Sequence, residues 1–251
     1  MKRKRESVET ETTARTKPCK HSENDAEHIT TETRETDSNI NTAIGKMDNH
    51  LLADYVAQRT KRFGEDLSLV ELEDMHVPES AILDTSEWNQ DRMAVNLPDF
   101  LTHAVQRHGV STDLSQAPVK PGSPHTLVLT GAALRAAELS RVLRKFQGKE
   151  ATVAKLFAKH IKLKDATAFV KKTRINIGVG TPTRIIDLLA ERALKLEKLE
   201  RVIIDTSFLD RKNRSIFDMR ETQQPLMQLL NMDELKSRYT TTGSPVKLIF
   251  Y

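Results

Sequence analysis

Up to Lys46 the chain carries no Leu, Phe, Tyr or Trp and is dense in Thr, Glu, Lys and Arg. Such a stretch lacks the apolar surface that would offset the entropy of ordering it, so residues 1–46 are expected to be a disordered, charged tail. From Asp48 the pattern changes. Leu51, Leu52, Tyr55, Val56 and Phe63 recur at helical spacing, with Asp48 or Asn49 as cap and Gly64 as stop, which predicts a helix over 48–63. Between 65 and 97 the apolar residues Leu67, Leu69, Leu72, Val77, Ile82, Leu83 and Trp88 follow neither the helical nor the strand period. This acidic segment is expected to lie irregularly along the domain, so that 47–97 forms one N-terminal unit.

Beyond it the rhythm is regular. A helix over Pro98–His108 and a proline-containing loop lead to the short apolar strand Thr126–Leu129, followed by a helix with Leu134, Ala137, Leu139, Val142, Leu143 and Phe146 on one face. A strand near Thr152–Phe157, a basic helix near Lys164–Lys172 and a strand Ile175–Val179 come next. Thr181 and Pro182 open a helix to about Arg192, and Arg201–Asp205 is another strand. One or two helices between 219 and 238 precede a last strand, Val246–Tyr251. Strand and helix alternating over such short connections require crossovers, hence an α/β domain over 98–251 with a mainly parallel sheet and helices on both faces.

Composition narrows the reading. The 251 residues suit one domain and a tail, too few for a two-domain motor. No apolar run is long enough for a membrane span, and Met1-Lys2-Arg3-Lys4-Arg5 leads into polar residues rather than an apolar signal core, so a soluble, non-secreted protein without membrane contact is expected. Lys2, Arg3, Lys4 and Arg5 form a candidate nuclear import signal. Cys19 is the only cysteine and the eight histidines show no paired spacing, so no metal site is expected. The net charge of +4 conceals a polarised chain. Residues 51–100 carry 4 basic and 11 acidic side chains, whereas residues 135–174 carry 12 basic against Glu138, Glu150 and Asp165. A polyanion suits the second region. The acidic stretch either packs against those basic helices or meets a basic partner; packing within the chain is slightly favoured.

Chemistry in parallel α/β sheets collects at the carboxyl ends of the strands. There the run Ile177-Gly178-Val179-Gly180-Thr181-Pro182-Thr183-Arg184 stands out: glycines admit a close neighbour, and a helix N-terminus beside Arg184 suits a phosphate. A capped crossover with glycines for close packing explains the run equally well. Arg135, Lys171, Lys172, Arg174, Gly180, Thr181, Thr183 and Arg184 are therefore the candidate RNA- or phosphate-binding residues.

Leu127-Val128-Leu129-Thr130, the run from Gly178 to Leu189, and Leu199 to Asp205 together resemble the first RecA-like domain of DEAD-box RNA helicases. The departures from that family weigh as much as the likeness. The Gly-Lys-Ser or Gly-Lys-Thr of a phosphate loop occurs nowhere, and no glycine lies between Gly64 and Gly109, where the loop would fall. Asp205-Thr206-Ser207-Phe208 keeps the first acid of the family's Asp-Glu-Ala-Asp motif and loses the glutamate, which leaves Asp205 as a remnant of the nucleotide site. The chain also stops where a second RecA-like domain would begin. The resemblance with these departures implies no catalytic residues, no cofactor and no enzyme activity.

A closer likeness is to the Cms family of nucleolar U3-containing 90S pre-ribosomal complex subunits. Its carriers are Leu52-Ala53-Asp54-Tyr55, Thr60-Lys61-Arg62-Phe63, Asp84-Thr85-Ser86, Asn96-Leu97-Pro98-Asp99-Phe100-Leu101, the Gly180–Arg184 segment and Val202 to Ser207. The resemblance implies a monomeric subunit within a large complex, in nucleus and nucleolus, with pre-ribosomal RNA or snoRNA and 90S assembly proteins as partners. Contact with protein alone, and a cryptic nucleotide-binding protein, are the competing expectations.

Overall fold

The computed structural model describes residues 40–107, 113–158, 161–241 and 246–251. Its strands are β1 (Thr126–Leu129), β2 (Thr152–Leu156), β3 (Ile175–Gly180), β4 (Arg201–Ile204) and β5 (Lys247–Phe250). They form one sheet in the order β2-β3-β1-β4-β5, and every neighbouring pair is parallel. The helices are α1 (Asn49–Phe63), α2 (Leu69–Asp74), α3 (Leu97–Arg107), α4 (Ala133–Val142), α5 (Leu163–Lys172), α6 (Pro182–Ala190), α7 (Arg220–Leu230) and α8 (Asp233–Thr240). This is the α/β parallel arrangement that the alternation predicts. Among the described residues no helix is long and apolar enough to cross a membrane.

Because helices cover both faces, the strands read as continuous apolar runs rather than alternating ones, and β1, β3 and β4 are buried throughout. On one face Leu127, Leu129, Leu156, Val202, Ile204 and Phe250 share a core with residues of α1, α5, α6, α7 and α8. On the other, Val128, Val153, Val179, Ile203 and Ile249 pack with residues of α3 and α4 such as Phe100 and Leu139. Full burial of a Leu or Phe stabilises the fold by about 1.5–3 kcal/mol relative to exposure.

Two expectations for the N-terminal third are corrected. Order within the first 46 residues extends back to Ile40, which bridges Phe208, and Ile44 is completely buried. A lone isoleucine among polar residues gives no periodic signal. The basic run Lys2–Arg5 and Cys19 lie outside the described residues. The 65–97 segment is less irregular than its pattern implies: Ser68 and Glu71 form a reciprocal capping box that nucleates α2. Ile82 then pairs in parallel with Leu248, and the Leu83 amide donates to the Leu248 carbonyl at 2.8 Å.

That pairing places the acidic segment along β5, one edge of the sheet, while β2 forms the other edge. Four strand spacings, about 19 Å, separate the two edges. The apolar residues Val77, Ile82 and Leu83 are buried within the chain. Lys145 and Asp99, 2.7 Å apart, make one contact between the acidic stretch and the basic region.

Candidate nucleic-acid interface

At the carboxyl ends of β1 and β4 the side chains close on one another. Thr130 Oγ1 donates to Asp205 Oδ2 at 2.8 Å, and Arg135 Nε, from the first turn of α4, donates to the same oxygen at 3.2 Å. Arg135 Nη1 reaches Glu138 Oε2 at 3.0 Å, and the guanidinium stands 4.8 Å from the centre of the Phe208 ring. The side chains of Arg135 and Asp205 have no exposure at all. Burial alone would lower the Arg135 pKa, but the carboxylates of Asp205 and Glu138 outweigh it and leave the group raised. Arg135 is thus a buried structural cation and not a surface phosphate ligand, contrary to the sequence expectation. Asp205, the candidate remnant acid, is neutralised by it.

The Gly178–Arg184 run also turns inward. A Cβ at Gly180 would lie 2.0 Å from the Leu156 carbonyl oxygen, and one at Gly178 2.8 Å from Leu156 Cδ1 and 3.0 Å from Leu127 Cδ2. These glycines let β2 and β1 approach β3, which is the packing alternative weighed above. The Thr181 amide donates to the Leu156 carbonyl at 3.3 Å. Arg184 is 7% exposed and donates through Nη1 to the Ile161 carbonyl at 3.0 Å, so it fastens the loop after β2 instead of facing solvent. Of Gly180, Thr181, Thr183 and Arg184, Thr183 alone is exposed, and Thr181 is half-buried.

Lys171, Lys172 and Arg174 precede β3, whereas Gly180 ends it. The strand's six residues therefore hold the two groups about 17–20 Å apart, at opposite ends of the sheet. Arg174 is half-buried and donates to the carbonyls of Ala117 (2.9 Å) and Pro118 (3.2 Å) and to Glu150 (2.5 Å). Lys171 and Lys172 remain exposed.

The exposed cations are a different set, spread around the β2 edge: Arg141 and Arg144 belong to the layer on one face of the sheet, and Lys162, Lys164, Lys171 and Lys172 to the layer on the other. Arg141, Arg144, Lys149, Lys155, Lys162 and Lys164 join Lys171 and Lys172 as exposed cations, all on β2 or on the connections entering and leaving it. Among the described residues none of them is in an ion pair, while their neighbours Lys145 and Arg174 each hold a carboxylate. Phe169, 44% exposed on α5, stands among them. Charge counting found this region but could not order its members, because only the edge position of β2 separates its free cations from the inward-turned arginines. Lys159 and His160 lie outside the described residues.

In the segment Asp91–Leu97, where the helicase resemblance leads one to expect a phosphate loop, the Arg92 side chain packs inward. Arg92, 3% exposed, lies over the Phe100 ring at 5.2 Å and donates to the carbonyl of Phe250. It also donates to the carbonyls of Gly45 (3.2 Å) and Thr85 (3.3 Å) and to Thr85 Oγ1 (3.1 Å). Burial pushes its pKa down to about 10, partly opposed by Tyr251. Tyr251 packs 4.7 Å from Phe100 and donates to the Met93 carbonyl at 2.6 Å. The cleft left beside Arg92 is about 120 Å³, below the roughly 300–1,000 Å³ typical of ligand pockets. Among the described residues no group of His, Cys, Asp or Glu is placed to hold a metal ion.

Fold and side chains thus define a three-layer parallel α/β domain with exposed cations around one sheet edge and with Arg92 and Arg135 packed into its interior. The chain belongs to the CMS1 family, whose family model, described as U3-containing 90S pre-ribosomal complex subunit, matches residues 1–251. It is 48% identical over 215 residues to protein CMS1 of Chaetomium thermophilum, covering 86% of this chain and 84% of that protein. It is 32% identical over 194 residues to protein cms1 of Schizosaccharomyces pombe, covering 74% and 67% respectively. Human protein CMSS1 is 29% identical over 192 residues, and the match covers 61% of that protein. Among solved structures, a chain of Saccharomyces cerevisiae dbp5, in a complex with nup159, gle1 and ADP, matches 64% of this chain and 35% of its own length, with 14% identity and a TM-score of 0.41.

Proposed function

We propose that this 90S pre-ribosome subunit is a non-catalytic assembly factor that holds the sugar–phosphate backbone of pre-ribosomal RNA or snoRNA along the β2 edge. The observation that carries the reading is the set of exposed, uncompensated cations on β2 and its two connections, with Phe169 exposed among them. Cations in this array neutralise phosphates and release counterions, and an exposed aromatic ring offers a face for an unpaired base. The contact set is accordingly Arg141, Arg144, Lys149, Lys155, Lys162, Lys164, Lys171 and Lys172, in place of Arg135, Arg174 and the Gly180–Arg184 run.

Two packed arginines support the non-catalytic half. Phosphoryl transfer needs a backbone cradle for the phosphates and an accessible acid for metal or water. Arg92 fills the first place, and Arg135 neutralises and covers the second. The work takes place in the nucleolus during early small-subunit rRNA processing, with Lys2–Arg5 as the import signal and the chain present as one copy within the larger assembly.

Purified full-length protein tests the reading directly. RNA affinity should fall linearly on a logarithmic salt scale, and ATP or ADP with magnesium should leave the melting temperature unchanged. RNA binding that ignores salt removes the RNA half of the proposal. A nucleotide-dependent rise in melting temperature removes the non-catalytic half.

A further inference from the structure

The helical layer carries a second surface of different chemistry. Between the end of α1, the residues flanking α2 and the helix α7 runs an open groove of about 580 Å³, with Phe63, Leu67, Met75, Met227 and Met232 supplying its apolar lining. Along one wall α7 contributes residues from Arg220 through Gln224, Met227 and Gln228, and Asn231 follows at its end. At 1.5 Å per residue that wall is about 16 Å long, or three helical turns. The space is a trench open along its length, long enough for three turns of a helix. Methionine side chains bend and polarise easily, so they adapt to an inserted apolar ridge.

The helix α2, which lies in the chain between the lining residues Leu67 and Met75, is itself without cover. No residue of this helix is buried, and Leu69 and Val70 are 80% and 72% exposed. Leu69 stands one turn before Leu72, whose tip meets Gly64 at the groove, so the exposed aliphatic surface continues the groove's lining outward. Acids predominate on α2 itself and in the turn before it, with Lys236 bonded to the Asp74 carbonyl and Arg62 over the Phe63 ring as the cations beside them. Glu65, Asp66, Glu71, Glu73 and Asp74 lie on or beside α2, and the sequence has no Lys or Arg between Arg62 and Arg92. Arg220, at the start of α7, adds a cation to the facing wall.

We propose that this groove seats an amphipathic helix of a neighbouring assembly protein. The helix lays an apolar ridge on Phe63, Met75 and Met227 and presents Lys or Arg to the acidic flank of α2. An apolar trench three turns long is the receptor of helix-in-groove recognition, and the acidic flank selects a basic helix and repels RNA phosphates. The inference is independent of the RNA reading, because none of the cations assigned to RNA lines the groove. Together they make the chain a bridge between RNA and protein.

The test uses the full chain in cells that make it, with a photocrosslinking amino acid at exposed Leu69 in one strain and at exposed Gln228 in another. Mass spectrometry then maps the adducts. Both positions should crosslink to one segment of one protein, and that segment should have apolar residues at helical spacing and an excess of Lys and Arg. Combining the Gln228 probe with Leu69→Ser and Val70→Ser should lower adduct yield about tenfold without changing the melting temperature. Adducts to RNA, to a second copy of the chain or to its own residues 1–39 would overturn the proposal. So would no adduct, two unrelated segments, or a yield insensitive to the serine substitutions.

Discussion

Arg135 Nε and Asp205 Oδ2 sit 3.2 Å apart with both side chains wholly out of solvent, and they tie the helix after β1 to the end of β4. The two form a fully buried ion pair. Removing one partner strands the other charge in a low-dielectric interior, which typically costs about 3–5 kcal/mol. Asp205→Ala is therefore expected to lower the unfolding free energy by that amount in urea titration. Thr130 loses its acceptor in the same variant. An unchanged urea midpoint would show that the pair carries no structural load.

Gly180 sits where a Cβ would be 2.0 Å from the Leu156 carbonyl oxygen, a backbone atom that cannot swing aside. Gly180→Ala is expected to force β2 and β3 apart and cost at least about 2 kcal/mol in urea unfolding. Gly148→Ala, whose new methyl would meet nothing closer than 3.9 Å, should stay within about 0.5 kcal/mol of the parent.

His125 gives the fold a pH dependence of known sign. Burial, and then the charge of Arg201, lower its pKa from 6.5 to about 4. In the folded protein it stays neutral down to that pH, whereas in the unfolded chain it takes up a proton below about 6.5. Stability associated with this residue is therefore intact above pH 6.5 and is lost as pH falls towards 4, by about 3 kcal/mol at most. His125→Gln should flatten that limb of the stability profile, measured by urea unfolding between pH 7 and 4. Parallel profiles for the two proteins would contradict the assignment.

The strands were legible because a sheet covered on both faces leaves runs such as Leu127–Leu129 and Val202–Ile204 that admit few other readings. The basic site was legible as a region and misread in its members. Lys172 and Gly180 are close in sequence but stand at opposite ends of β3. Arg135 is a candidate phosphate ligand until the fold brings Asp205 to it from 70 positions away. The half-strand at Ile82–Leu83 is too short for any period, and it acquires meaning only from the β5 backbone that it joins. Long-range pairing, not local propensity, decided each of these places.

The central claim is that the β2 edge is the RNA-holding surface. The direct measurement is RNA affinity across a salt series for the parent protein and for the variant combining Lys155→Ala, Lys164→Ala, Lys171→Ala and Lys172→Ala, all at exposed positions. The account predicts weaker binding by the variant at every salt concentration. It also predicts a log–log salt slope shallower by about 0.7 for each lost contact to single-stranded RNA. Equal affinities and equal slopes for the two proteins would contradict it.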